Sequence, residues 1–127
     1  MSVRLLLDTH TFLWWMSDDP RLSQEARDQI ATPESLVAIS AAVAWEISIK
    51  SARGKLKPAE DLEAQVDEQG FTPLPIRIVH ALRAGALPPL HRDPFDRMLV
   101  AQAQIEGMTI VTRDKNIPRY DVTTLAA

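Results

Sequence analysis

The sequence contains no cysteine, and it has no internal repeat and no low-complexity tract. Without cysteine there is no disulfide scaffold, no thiolate zinc site and no cysteine nucleophile. The apolar amino-terminal stretch is interrupted by Asp8 and His10, so it is too short and too polar for a signal peptide or a membrane span. We therefore expect a globular protein of the cytoplasm that does not enter a membrane.

The composition that remains predicts a single domain over residues 1–127. A chain of 127 residues with 46% hydrophobic residues can build one compact core. Its 14 basic and 17 acidic residues give a net charge of −3, whereas nucleic-acid-binding domains are usually basic. A nucleic-acid ligand is compatible with this charge if metal cations neutralise carboxylates, or if basic residues cluster. Such a local cluster is formed by Lys50, Arg53, Lys55 and Lys57.

Short apolar runs alternate with longer amphipathic segments, which predicts an α/β fold with a mainly parallel sheet and helices on both faces. The runs are almost continuously apolar, as in strands that are buried on both sides. Four strands and a weaker fifth are predicted at Val3–Leu7, Leu36–Ile39, Phe71–Leu74, Thr109–Thr112 and Asp121–Thr124. Pro73 predicts that the third strand lies at an edge of the sheet.

Capping residues indicate where the helices begin. Ser23 and Ser40 are suited to N-caps, and Asp93 followed by Pro94 is a typical helix start. Gly107 predicts the end of the last helix. The predicted helices span residues 9–15, 24–31, 41–52, 58–68, 76–84 and 94–106, with a loop at 85–92.

Four acidic residues fall where a parallel sheet binds its ligands. Asp8 ends the first strand and Asp114 follows the fourth, so both face one crevice if these two strands are neighbours. Glu46 lies in the helix after the second strand, and Asp96 lies in the first turn of the helix that leads to the fourth strand. We expect the four side chains to meet at the carboxyl edge of the sheet.

A cluster of four carboxylates requires cations. Two ionised carboxylates about 4 Å apart repel by roughly 4 kcal/mol at an effective dielectric constant near 20, and this repulsion raises their pKa values. Oxygen ligands select Mg²⁺ or Mn²⁺ over zinc, and one or two such ions support phosphodiester hydrolysis. Asp8 is the candidate for bridging two ions, and Glu46 for orienting the attacking water.

At these residues the chain resembles PIN-domain nucleases, and among them the VapC-type toxins of bacterial toxin–antitoxin pairs. Four segments carry the resemblance, in the family's order and over nearly the whole chain. They are LLLDTHTFLWW at 5–15, ISAAVAWEISIKSARGKL at 39–56, LHRDPFDRMLVAQAQIEG at 90–107 and TIVTRDKNI at 109–117. Each segment alone is a weak signal, whereas the four together are highly specific.

The resemblance implies an α/β/α sandwich and a Mg²⁺- or Mn²⁺-dependent endoribonuclease that a cognate antitoxin inhibits, with a toxin homodimer as the usual unit. The family's metal-binding acids correspond to Asp8, Glu46, Asp96 and Asp114. The resemblance also implies that Thr112 supports a water molecule on the metal.

Each acid also has an ordinary structural interpretation. Asp8 could cap the helix after it, and Glu46 could pair with Lys50 at i+4, a contact worth a few tenths of a kcal/mol. Asp96 could interact with its helix dipole, and Asp114 could belong to a turn. For Asp93 we favour the structural interpretation, an N-cap.

Other residue types receive less specific predictions. The three tryptophans, Trp14, Trp15 and Trp45, are expected in the core or in an oligomer interface rather than stacked on bases. His10, His80 and His91 show no metal-site pattern such as H-E-x-x-H, so we assign no catalytic role to His10 or His91. Lys50 and its basic neighbours are expected on a solvated face. Some of Arg92, Arg97, Arg113 and Lys115 are expected to contact RNA phosphates.

Two other functions fit the same residues less well. One is a metal-dependent deoxyribonuclease or phosphatase that uses the same acids on another phosphate ester. The other is a noncatalytic, receiver-like α/β interaction module, which also has an acid after its first strand. A receiver would usually have a further acidic pair near its start and a lysine after its last strand, and Asp18 and Asp19 are misplaced for that pair.

Overall fold

A computed structural model describes residues 3–54 and 61–127 of the chain. In these residues five strands form one sheet in the order β3-β2-β1-β4-β5, and all neighbours are parallel. The strands are β1 (Arg4–Leu7), β2 (Leu36–Ser40), β3 (Thr72–Leu74), β4 (Thr109–Thr112) and β5 (Thr124–Ala126). The predicted α/β class with a mainly parallel sheet is confirmed.

Six α-helices occupy the described connections between strands. They are α1 (Thr9–Met16), α2 (Gln24–Ala31), α3 (Ala41–Ala52), α4 (Leu62–Glu68), α5 (Ile78–Ala86) and α6 (Pro94–Glu106). The predicted caps are present: the hydroxyls of Ser23 and Ser40 accept from the amides of Ala26 and Ala42, respectively. Gly107 ends α6 with φ +67°, a left-handed conformation that glycine adopts without strain. None of the helices in the described part of the chain is long and apolar enough to cross a membrane.

The centre of the sheet is buried on both faces. Leu5, Leu6 and Leu7 of β1 are almost fully buried although consecutive side chains point to opposite faces. Both faces of β1 are therefore covered, which is the arrangement of an α/β/α sandwich. Val3 precedes β1 and is exposed, so the strand begins one residue later than predicted.

The strand order places a topological switch point at β1. The chain proceeds from β1 to β2 on one side, whereas β4 pairs with β1 on the other side through Leu5 and Thr109. The crevice beyond the carboxyl ends of β1 and β4 is where open parallel sheets bind ligands. The predicted condition for Asp8 and Asp114 to meet, that these two strands are neighbours, is fulfilled.

Two element boundaries differ from the prediction for local reasons. Helix α5 begins two residues later, because the Nδ1 of His80 accepts the amide hydrogen of Arg77 and caps the helix there. It also continues through Gly85 to Ala86, and Leu87 takes an extended conformation before Pro88. The loop prediction for residues 85 and 86 is therefore wrong.

The fifth strand lies further along the chain than its predicted position at Asp121–Thr124. Residues 121 and 122 belong to a bend, and β5 spans Thr124–Ala126. Hydrogen bonds to β4 set this register: Ile110 donates to the carbonyl of Thr123, and Ala127 donates to that of Thr112. Helix α4 is described from Leu62, and residues 58–60 of its predicted span lie outside the described residues. The third strand is confirmed at the sheet edge, beginning at Thr72.

Candidate active site

Asp8 and Asp114 lie side by side at the ends of β1 and β4. The Oδ1 of Asp8 accepts the amide of Thr11 at 2.9 Å and caps α1, so the ordinary structural interpretation of Asp8 as an N-cap is confirmed. Its Oδ2 accepts the Thr112 hydroxyl at 2.5 Å, and the same hydroxyl oxygen accepts the amide of Asp114 at 3.0 Å. The Thr112 hydroxyl therefore connects the carboxylate of Asp8 to the backbone amide of Asp114.

Asp96 reaches the same crevice from the first turn of α6 and is joined there by His91. The Nε2 of His91 lies 2.9 Å from Asp96 Oδ2 and 3.7 Å from Asp114 Oδ2. One ligand atom from each of these three residues falls within 4.8 Å of the others, a spacing that one metal ion could span. His91, to which the sequence assigned no catalytic role, therefore lies beside two of the predicted acids.

Glu46 is buried in α3 although it is ionisable. Its Oε1 accepts the hydroxyl of Thr9, and its Oε2 lies 2.7 Å from the ammonium of Lys50. The i+4 pair proposed as the ordinary interpretation of Glu46 is therefore present. The carboxylate nevertheless faces the crevice, so pairing with Lys50 and membership of the acidic cluster occur together.

One cavity of about 320 Å³ connects all four acids. Nine of its ten described lining residues have polar or charged side chains, as expected for a site that binds ions or phosphates. The lining residues are Asp8, Thr9, His10, Trp14, Glu46, Lys50, Asp93, Asp96, Arg113 and Asp114. Four segments that are distant in sequence thus bring their acids to one place.

Acidic side chains outnumber basic ones among the described residues that line the cavity. Burial, followed by repulsion from Asp93, raises the pKa of Asp96 to about 7, and Asp114 and Asp8 add to the rise. The hydrogen bond from His91 opposes this shift. A carboxyl group under such strain gains more from a bound divalent cation than an isolated surface acid does.

Asp93 lines the cavity but has a structural task. Its Oδ1 accepts the amides of Phe95 at 2.8 Å and Asp96 at 3.1 Å, which is the geometry of an N-cap. The predicted structural role of Asp93 is confirmed, and its charge still raises the pKa of Asp96.

Two of the four basic residues predicted to contact RNA are used inside the protein. The guanidinium of Arg97 donates to the carbonyls of Ala84, Leu87 and Pro88 and to the Tyr120 hydroxyl. That group connects the loop before His91 to α6, so these internal contacts account for the position of Arg97, and its contact with RNA stays a prediction.

Arg113 lines the cavity, and its Nε and Nη2 donors are engaged within the protein. Its guanidinium donates to the carbonyls of Ala127 and Arg21 and lies 5.1 Å from the ring centroid of Trp14. Arg92 and Lys115 are exposed, so for them phosphate contact stays a prediction.

Two of the three tryptophans pack against the core, and the third lies at the surface. Trp14 and Trp15 are partly buried against the core, as predicted. The guanidiniums of Arg21 and Arg113 both lie within 5.2 Å of the Trp14 ring, which leaves little room for a base. Trp45 is 60% exposed and packs edge-on against Phe95, so it does not belong to the core.

Sequence reasoning missed Thr9, His10 and Lys50 as residues that line the cavity, and His91 as a neighbour of two of its acids. Lys50 carried a usable signal, since residues at i and i+4 share a helix face. His91 lies in a loop without periodicity, and Thr9 meets Glu46 only through the tertiary fold.

The family model of the PIN domain matches residues 5–122 of this chain. The chain therefore belongs to the PIN domain family. It is 30% identical over 122 residues to Ribonuclease VapC22 of Mycobacterium tuberculosis, an alignment that covers 89% of this chain and 88% of the relative. The resemblance to VapC-type PIN nucleases is confirmed.

Solved structures agree with the fold. VapBC2 of Rickettsia felis, bound to a DNA fragment from its promoter, superposes with a TM-score of 0.73 at 17% identity, covering 97% of this chain and 98% of that chain. The DNA-bound VapBC of Salmonella typhimurium gives 0.71 at 20% identity, with 97% of each chain covered. At these identities the likeness establishes the shared fold and nothing finer.

Proposed function

We propose that this protein is a divalent-metal-dependent endoribonuclease toxin, with Asp8, Glu46, Asp96 and Asp114 as its catalytic and metal-binding residues. The observation that carries the proposal is the convergence of these acids on one cavity. Family membership supports the reaction class, and the ribonuclease relative supports RNA as the substrate. No feature of the cavity favours the alternative interpretations, DNA cleavage, phosphatase activity or a noncatalytic module.

The donor set fits a hard cation. Asp8, Asp96 and Asp114 supply carboxylate oxygens, which Mg²⁺ and Mn²⁺ prefer, and a carboxylate oxygen that accepts one hydrogen bond keeps a lone pair for a metal. His91 adjoins Asp96 and Asp114 and makes a hydrogen bond with the Asp96 carboxylate, so it would orient that group for the ion. When bound, the ion would polarise the phosphate and lower the pKa of the attacking water.

The protein's own groups would orient the reaction. The Thr112 hydroxyl connects the carboxylate of Asp8 to the backbone amide of Asp114, and His91 holds the carboxylate of Asp96. Glu46 is held by Thr9 and Lys50 with its carboxylate towards the cavity, where it could accept a proton from the attacking water. These contacts fix the carboxylates before substrate binds, which lowers the cost of ordering them during the reaction.

The proposed partners are a cognate antitoxin and a second copy of the chain. The solved relatives are VapBC and other toxin–antitoxin complexes, which supports an antitoxin. Helix α5 exposes Ile78 by 80% and Leu82 by 71%, and apolar side chains at i and i+4 form one face suited to a homodimer. Sedimentation of the purified chain should show the dimer mass, and a monomer at micromolar concentration would exclude this unit.

The direct test is cleavage of RNA, DNA and a small phosphate ester by purified protein with Mn²⁺, Mg²⁺ or EDTA. We expect metal-dependent internal cleavage of RNA that Asp8→Asn lowers at least about 100-fold, since loss of a metal ligand removes several kcal/mol of transition-state stabilisation. Asp28→Asn is the matched control, because Asp28 is an exposed acid of α2 outside the cavity. Equal activity of the Asp8 variant and wild type would refute the site.

A further inference from the structure

Lys50 occupies an unexpected position for a residue of a basic surface cluster. Its side chain is only 34% exposed, and its ammonium lies 2.7 Å from Glu46 Oε2 inside the wall of the acidic cavity. Arg53, three residues further on, is exposed and does not line the cavity. Lys55 and Lys57, the other members of the cluster, lie outside the described residues.

Among the described residues, two lysine or arginine side chains line the cavity, Lys50 and Arg113, and they differ in how free they are to bind a ligand. Arg113 is held by the carbonyls of Ala127 and Arg21 and by the Trp14 ring. Turning it towards a ligand would break these contacts. The ammonium of Lys50 is a compact charge on a flexible stem with three donors, so it can contact Glu46 and a second anion together.

We propose that Lys50 binds a backbone phosphate of the RNA at the cavity, directly beside the acidic cluster. A phosphodiester that enters a pocket lined by carboxylates is repelled by them, and a lysine at 4 Å or less offsets part of that repulsion. The ammonium would donate to a non-bridging phosphate oxygen while its contact with Glu46 keeps it in place. This inference rests on the proposed ribonuclease function and adds a substrate-binding residue to it.

The competing explanation is that Lys50 only stabilises Glu46 and its helix. Such an i+4 pair is worth a few tenths of a kcal/mol, and it makes no contact with RNA. The two explanations differ in salt dependence, because each phosphate contact releases a counterion. For single-stranded RNA, one lost contact reduces the slope of log Kobs against log salt by about 0.7.

The experiment measures binding of a labelled single-stranded RNA in Ca²⁺ at several salt concentrations, with RNA integrity checked on a gel. We expect Lys50→Gln to weaken binding and to reduce the slope by about 0.7, whereas Arg53→Gln keeps the wild-type slope and Lys50→Arg restores it. The Mn²⁺ affinity of Lys50→Gln should stay within about threefold of wild type, since the acids are intact.

Two results would overturn the proposal. One is a Lys50→Gln slope equal to that of wild type, which leaves Lys50 as a partner of Glu46 only. The other is an equal loss of slope in Arg53→Gln, which indicates general surface attraction. Neither result contradicts the proposed ribonuclease function. That function is contradicted by a different result, namely that wild-type protein with Mn²⁺ does not cleave RNA.

Discussion

The two ends of α6 carry the same histidine–carboxylate contact with opposite electrostatic outcomes. His91 Nε2 lies 2.9 Å from Asp96 near the start of the helix, and His80 Nε2 lies 2.9 Å from Glu106 at its end. In both pairs the histidine Nδ1 accepts a backbone amide, of Arg92 or Arg77 respectively, so Nε2 carries the hydrogen and donates it to the carboxylate.

The surroundings explain the difference. The pKa of Asp96 is raised to about 7 by burial and then by the charges of Asp93, Asp114 and Asp8. The pKa of Glu106 is lowered, first by the hydrogen bond from His80 and further by Arg77 and Arg4. A histidine alone therefore does not neutralise a carboxylate that other carboxylates surround. Near Asp96 the neighbouring acids leave an excess of negative charge that a bound cation would offset. Near Glu106 the positive charges of Arg77 and Arg4 already offset the carboxylate.

The largest expected difference between the two ends is in RNA cleavage. Asp96→Asn should lower cleavage with Mn²⁺ at least about 100-fold, because a proposed metal ligand is lost. Glu106→Gln should leave the rate within about twofold, because Glu106 does not line the cavity. The measurement is the single-turnover rate of RNA cleavage by each variant. A similar loss of rate in Asp96→Asn and Glu106→Gln would contradict the proposed difference between the two ends of α6.

A smaller effect should separate the two histidines. His91→Ala should weaken Mn²⁺ binding about tenfold or more, since groups that orient metal ligands typically have effects of this size. His80→Ala should instead lower the free energy of unfolding by about 1–3 kcal/mol, because the partly buried hydrogen bonds of the His80 ring with Arg77 and Glu106 are lost.

Calorimetric titration with Mn²⁺ and urea denaturation test the two halves of this prediction. An unchanged Mn²⁺ affinity in His91→Ala, or a tenfold loss in His80→Ala, would contradict the assignment of the metal centre to the Asp96 end.

The two ends should also differ in the pH dependence of stability in EDTA. The pKa of Asp96 in the folded state, about 7, exceeds its ordinary value of 3.8, so the folded state binds this proton more tightly. The stabilisation is present below about pH 4 and is lost as the pH rises towards 7. Glu106 has the opposite sign, because its lowered pKa stabilises the fold at higher pH and this contribution is lost on acidification.

Urea denaturation of wild type, Asp96→Asn and Glu106→Gln between pH 4 and pH 7.5 measures these contributions as differences. Asp96→Asn should remove part of the decline in stability between pH 4 and pH 7. If the free energy of unfolding of wild type and of this variant changed with pH in parallel, the raised pKa of Asp96 would be contradicted.

Much of the site was predictable because its acids directly follow recognisable elements. Asp8 and Asp114 come after apolar strands, and Asp96 follows a Pro94 helix start, so local pattern and the geometry of parallel sheets place all three. Element boundaries were less predictable where one particular side-chain contact or inter-strand hydrogen bond sets them. The start of α5 depends on a histidine that caps from inside the helix, and β5 depends on its register with β4.

Local sequence by itself determined the α/β class, the order of the elements and the positions of the acids, because periodicity and capping act over a few residues. Only the tertiary structure decided which further groups contact the acids, namely His91 beside Asp96 and Thr9 beside Glu46. It also decided that Arg97 points inward and donates to loop carbonyls. These contacts depend on side-chain directions and on how the helices pack over the sheet. The opposite pKa shifts of Asp96 and Glu106 follow from that packing, since electrostatic interactions depend on distance and burial rather than on sequence separation.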